Sequence, residues 1–286
     1  MTPQADEVHA AEPLAYFDLI LADFDAGRAT RHAHLGHWDD PIQRPTTIQE
    51  VHAAQHRMAE ILVDLLDLRD GHRFLDVGCG LGGTVELVIE RGLEVHAIGV
   101  NIDPRQLDRC RTLEPGSAAH IDWVLGDGVH LALADSSIDR LLCLEALPHL
   151  SSRRAFFAEA QRVLRPGGVL VVTDVLVAPG AAAVLGVEPA ELAARIDQIL
   201  GPWPEPLATL DEVRAVASSA GFRETVAIDA TVATAPSHAL SFEGVDLDAP
   251  HPWSEVLLGE QVFSRLHAAA LIECHYLAFV LDQASA

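Results

Sequence analysis

The chain has 286 residues, is 49% hydrophobic and carries a formal net charge of −23. That length supports a substantial core in one large or two small domains, and the acidity repels phosphate backbones and anionic lipid surfaces, so neither nucleic acid nor a membrane is an expected partner. All 19 basic residues are arginine, which excludes a Schiff-base lysine and the lysine of a phosphate-binding P-loop.

Cys79, Cys110, Cys143 and Cys274 are scattered without C-x-x-C spacing. They point to a reducing, cytoplasmic setting and against a zinc finger. The first residues show no basic and apolar leader, and no uncharged apolar run reaches the roughly 18 residues of a membrane span.

Residues 13–26 pattern as an amphipathic helix, followed by a His-rich polar segment. Thr46-Thr47 with Glu50 three residues on is a capping signal for a helix running to about Leu68 and closed by Gly71. From there, short apolar runs alternate with helical patterns. Strands are expected at 73–77, 95–100, 121–125, 140–144, 169–177, 225–229 and 276–281. Helices are expected near 84–91, 104–112, 152–164, 210–220 and 254–272. This alternation predicts an α/β fold: a Rossmann-like, seven-stranded, mostly parallel sheet with helices on both faces. Residues 1–70 read as an N-terminal helical lid and 71–286 as the main domain. A stretch at 178–209, with a short helix near 188–200, reads as a cap inserted after the fifth strand.

The most specific motif is Asp76-Val77-Gly78-Cys79-Gly80-Leu81-Gly82, closing the first strand and opening a helix. Glycines there permit a tight turn and close approach of a ligand. Gly78, Gly80 and Gly83 also satisfy the NAD fingerprint. An acid at Asp76 would oppose a pyrophosphate but favour a cationic, phosphate-free nucleoside. Asn101, where NAD enzymes usually carry an acid, can still hydrogen-bond a diol.

These residues resemble the class I S-adenosylmethionine-dependent methyltransferases. Gly126-Asp127-Gly128, Ser137-Ile138-Asp139-Arg140 and Arg165-Pro166-Gly167-Gly168 are similar to further motifs of that family. His34-Leu35-Gly36-His37-Trp38 and Leu147-Pro148-His149 resemble elements of small-molecule natural-product methyltransferases, notably antibiotic-pathway sugar O-methyltransferases of the rebeccamycin type. The resemblance implies S-adenosylmethionine as cofactor and S-adenosylhomocysteine as product. It implies a cofactor set of Asp76, Gly78, Cys79, Gly80, Asn101, Ile102, Gln106, Asp127, Gly128 and Leu144. Gln106 would help hold the ribose and Asp127 would accept from the adenine amino group. His37 and Trp38 would belong to the lid and substrate side.

Two residues are expected to carry the chemistry. His149, just past the fourth strand, is placed to take a proton from the acceptor. Asp174, at the end of the fifth, would orient that imidazole or bind a substrate hydroxyl. The bland alternatives are a packing histidine at a helix start and an acid that bonds only nearby backbone. His37 stands where the family carries Tyr, and Pro148-His149 replaces a His-His pair. His32, His34 and His37 suggest a metal but lack a fourth ligand nearby, so no metal site is expected. Trp38 and Trp203 could line a pocket or simply pack.

The expected activity is methylation of O, N or C on a small specialised metabolite in a bacterial pathway. The alternative keeps fold and cofactor but promotes, or couples methylation to, cyclisation of a natural product. A third reading is a cofactor-binding partner subunit of another methyltransferase. The acceptor and any homo-oligomerisation are left open.

Overall fold

In the computed structural model the chain is described at residues 17–40, 47–114, 120–185, 188, 191, 204–240 and 271–282. Seven strands form one sheet in the order β3-β2-β1-β4-β5-β7-β6. They are β1 (Arg73–Val77), β2 (His96–Asn101), β3 (His120–Leu125), β4 (Ile138–Cys143), β5 (Leu164–Val177), β6 (Phe222–Asp229) and β7 (Ile272–Leu281). β1 to β5 pair in parallel, and β7 inserts antiparallel between β5 and β6. The mostly parallel sheet expected from the alternation is therefore present.

The strand period of two separates the sheet's two cores. Leu75, Val77, Leu141, Cys143, Leu170 and Val172 pack on one face against α5 (Arg153–Val163) and a later helix at Leu210–Ser219. Phe74, Leu142, Leu144, Val171 and Tyr276 pack on the other, with α2 (Ile48–Leu65) and α3 (Gly83–Glu90). Thr47 caps α2 in a full capping box with Glu50, as the sequence signal requires. α2 contributes Met58, Leu62 and Leu66 to the second core. It is thus a structural layer of the sheet, not part of a lid; among the described residues, 31–34 pack against the glycine loop.

Other elements are α1 (Phe17–Asp25), α4 (Pro104–Cys110), α6 (Ala181–Leu185), α7 (Leu210–Ser219) and α8 (Thr231–Leu240). α8 was not anticipated: it carries Pro236 and β-branched residues, which weaken the helical signal in sequence. The last strand begins at Ile272, so residues 271 and 272, expected to end a helix, are not helical. The rest of that helix, most of the one near 188–200, and Trp203 lie outside the described residues. Among the described residues no helix is long and apolar enough to cross a membrane.

Candidate active site

Parallel strands bring the carboxyl ends of β1, β2, β4 and β5 to one edge, where open α/β sheets bind ligands. After β1 the chain turns through Gly78, Gly80 and Gly82 with φ of 74°, 53° and 85°, a region that L side chains avoid. The amides of Gly78 and Cys79 donate to the Val100 carbonyl at 2.8 and 3.1 Å, clamping the loop to β2. A Cβ on Gly78 would sit 2.2 Å from that of Ala146, whereas one on Gly80 would meet nothing within 4 Å. Gly78 is thus fixed by packing, and Gly80 faces open space.

Asp76 points to the α2/α3 face and is 2% exposed. Burial raises its carboxyl to about 7, and no donor of the described residues is placed on it. A buried carboxylate without a donor is costly unless a cationic ligand supplies the missing charge. The carboxamide of Asn101 donates to the Gly80 carbonyl at 3.2 Å and to Gln106 Oε1 at 2.7 Å. Its Oδ1 accepts from the Ile102 amide at 2.8 Å. Asn101 and Gln106 therefore brace each other and the glycine loop at the end of β2. Asp127 accepts from the Val129 amide at 3.1 Å. Gly128 is required by packing, because a Cβ would approach Val77 Cγ1 to 2.7 Å. Cys79 packs into a small apolar cluster with Cys110 and Leu107, so it contributes its backbone to the loop.

The lid segment closes over this loop. Arg31 Nη1 donates to the carbonyls of Leu81 and Arg109, both at 3.0 Å, and Nη2 donates to Thr112 Oγ1 at 2.8 Å. Glu86 lies 3.2 Å from its Nε. His32 and His34 share a ring-nitrogen contact at 3.2 Å. Desolvation brings them down to about 3 and about 4, respectively, so both stay neutral. The remaining cavity is only about 40 Å³, bounded by His32, His34, Asp76, Gly80, Thr84 and Leu144. A larger open groove of about 390 Å³ lies at the β6/β7 edge beside Arg214 and Asp282. It holds none of the residues singled out from the sequence.

His37 Nδ1 lies 3.2 Å from the Tyr276 hydroxyl, and desolvation lowers the imidazole. Trp38 is buried and its indole donates to Ser237 Oγ at 3.0 Å, so it docks the lid onto α8. His149 ends a short 3-10 turn, Leu147–His149, after β4, and burial lowers it to about 4.

The expected orienting role of Asp174 meets a different arrangement. Asp174 shares the α5 face with Leu170 and Val172, opposite to Asp76. Its oxygens take Arg153 Nε and Nη2 at 3.0 and 3.3 Å, and Oδ1 also accepts from the Val175 amide. The described bonds of this carboxylate go to Arg153 and the backbone, not to His149. Arg153, at the start of α5 on that same face, takes both oxygens; the face itself was readable from strand parity. Burial outweighs the arginine and leaves the carboxyl above its ordinary value.

Sequence reasoning missed Glu145, Arg153 and Arg31. Glu145 has φ 52°, and its amide donates to Thr173 Oγ1 at 2.7 Å. A non-glycine residue is uncommon in that conformation, and Glu145 holds it at the strand end beside the glycine loop. Its only sequence signal is an acid directly after an apolar strand.

Residues 75–172 match the family model described as a methyltransferase domain. The chain is 32% identical over 219 residues to 27-O-demethylrifamycin SV methyltransferase of Amycolatopsis mediterranei, covering 74% of this chain and 75% of that protein. It is 36% identical over 149 residues to Methyltransferase GfsG of Streptomyces halstedii, spanning about half of each (52%). The [4+2]-cyclase SpnF shares the fold, with a TM-score of 0.72 at 19% identity over 94% of this chain and 95% of that one. The chain belongs to the class I S-adenosylmethionine-dependent methyltransferases, the family its glycine loop resembled, and is an enzyme using S-adenosylmethionine.

Proposed function

We propose that this enzyme methylates a hydroxyl oxygen of a small specialised metabolite, with His149 as the proton acceptor. The reading is carried by Asp76, a buried carboxylate without a described donor, beside the open space at Gly80. That pair suits a cationic amino-acid moiety and not a pyrophosphate. The choice of oxygen over nitrogen or carbon follows the name of the rifamycin relative.

Bound S-adenosylmethionine supplies an already activated methyl group, leaving alignment and proton removal to the protein. Asp76 would hold the ammonium end, with the Gly78–Gly80 backbone against the chain of the cofactor. Asn101 and Gln106 would present the ribose side and Asp127 the adenine side. His149, which burial lowers to about 4, is unprotonated across the neutral range and would accept the hydroxyl proton as the methyl transfers, its basicity rising when the developing positive charge is stabilised in the site. Asp174 and Arg153 together would fix the start of α5 behind the substrate space. His37 and Trp38 would close the other side. A cavity of about 40 Å³ is far below the roughly 300 Å³ at which ligand pockets begin, so the 31–35 segment lifts for cofactor exchange.

The test is incubation with S-adenosylmethionine and a panel of hydroxylated polyketides, measuring S-adenosylhomocysteine alongside the methylated product. Stoichiometric formation of both supports the reading. Cyclised product without S-adenosylhomocysteine would establish the cyclase alternative instead, and binding of NADH in place of S-adenosylhomocysteine would remove both.

A further inference from the structure

At the opposite edge of the sheet, where β2 and β3 begin, lies a cluster the methyltransferase chemistry does not use. Parallel pairing sets His96 directly against His120, and their rings lie edge to face with centroids 4.5 Å apart. Asp122, two residues along β3, falls on the same face by strand alternation. Its Oδ2 is 2.7 Å from His96 Nε2 and its Oδ1 is 3.5 Å from His120 Nε2. One ligand atom from each of the three residues falls within 4.8 Å of the others. The carboxylate, half exposed (side chain 49%), and the exposed His120 (68%) are free to rotate inward.

We propose that His96, His120 and Asp122 bind one divalent transition-metal ion, with Zn²⁺, Ni²⁺ or Cu²⁺ as the class. Two imidazoles and one carboxylate are a donor set of borderline softness, which suits these ions and not Mg²⁺ or Ca²⁺, which prefer all-oxygen shells. Bond lengths of about 2.0–2.2 Å to nitrogen and oxygen put donors about 3.4 Å apart, so the 2.7 Å Asp122–His96 pair opens slightly while the widest spacing, within 4.8 Å, closes, a shift that the exposed Asp122 and His120 can make. The remaining coordination positions face solvent and take water. The ion would cross-link β2 to the edge strand β3, whose register then becomes metal-dependent. Because His96 opens β2 while the glycine loop follows the far end of β1, the site is separate from methyl transfer.

The test uses the full chain, free of any affinity tag and stripped with chelator. Isothermal titration with ZnCl₂ should give one equivalent bound, a rise in Tm, and no comparable response to MgCl₂. His120→Gln and Asp122→Asn, both at exposed positions, should each weaken Zn²⁺ binding at least tenfold, with the metal-free Tm held. His96→Gln should do the same. Undiminished binding in these variants would locate the ion elsewhere, the His32/His34 segment included, and overturn the proposal. Absence of a one-to-one isotherm in the unmodified protein would overturn it as well.

Discussion

The backbone amide of Leu35 donates to the carboxylate of Glu145, 3.1 Å from each oxygen. This single acceptor ties the lid to the end of β4, and it does so from a backbone conformation with φ 52°. Such a conformation costs on the order of 1–2 kcal/mol outside glycine, so the surrounding contacts must hold it. Glu145→Ala should therefore loosen residues 31–38. The expected outcome is faster proteolysis within that segment and a several-fold higher KM for S-adenosylmethionine. Glu145→Gln, which keeps an acceptor, should lie between the two. Unchanged proteolysis in the alanine variant would show that the Arg31, His37 and Trp38 contacts hold the segment without Glu145.

The buried Arg153–Asp174 pair gives a stability prediction distinct from any catalytic role. Both side chains are almost wholly enclosed, with 6% and 0% exposure. Removing Asp174 leaves Arg153 only the Pro206 carbonyl and the more distant Glu205, against a loss of about 3–5 kcal/mol for a fully stranded charge. Asp174→Asn should lower the unfolding free energy by up to that amount. The double variant Asp174→Leu with Arg153→Met should recover most of it, since no lone charge remains buried. A cycle of chemical denaturation curves measures the coupling. Full stability in Asp174→Asn alone would mean the pair is solvated in solution.

Much of this was legible in the chain, for reasons the pair illustrates. The order of elements, the glycine loop and the Thr47 cap are local signals, fixed by glycine φ preference and hydrogen-bonding chemistry within a few residues. Asp76 was legible because a strand-end acid beside glycines has few other uses. Asp174 was expected to orient His149 or bind a substrate hydroxyl; its bond to Arg153, 21 residues away on α5, was not legible because no local pattern reports that contact. Arg31 was illegible: its acceptors at Leu81, Arg109 and Thr112 are 50 to 81 residues away, and no local pattern reports such a contact.

His149 predicts a pH profile. With the imidazole held near 4 by burial, it stays unprotonated across the neutral range. The kcat/KM profile should therefore be flat from about pH 5.5 upward on its acid side, without the limb near 6.5 that a solvated histidine gives. His149→Gln should lower kcat by about 10²–10⁴-fold and leave the Kd of S-adenosylhomocysteine within a few-fold. A loss of cofactor affinity matching the loss of kcat would make His149 a packing residue.

Asp76 predicts opposite signs for stability and for binding. Its carboxyl is near 7 in the folded protein and near 3.9 when unfolded. Raised on folding, it favours the native state fully below about 3.9, and that contribution fades as pH climbs through 7. The lowered histidines work the other way, His32, His34 and His149 most strongly, with His37 and His72 shifted in the same direction. Their contribution is complete above about 6.5 and is lost as pH falls towards 4 and 3. Ligand-free stability should thus rise from pH 4 through 6.5, where the histidines outweigh one aspartate, and level off towards pH 7.5 as the two opposing effects run out together. Asp76→Asn should steepen that rise and raise the ligand-free Tm near pH 7. It should also weaken S-adenosylhomocysteine binding by about 2–4 kcal/mol, since a buried cation loses its partner. Calorimetry in buffers of different ionisation enthalpy at pH 6.5 should detect a proton released on cofactor binding by the native chain and none by the variant. Equal proton release from the two proteins would assign the titration to another group and remove the carboxylate from the cofactor's ammonium.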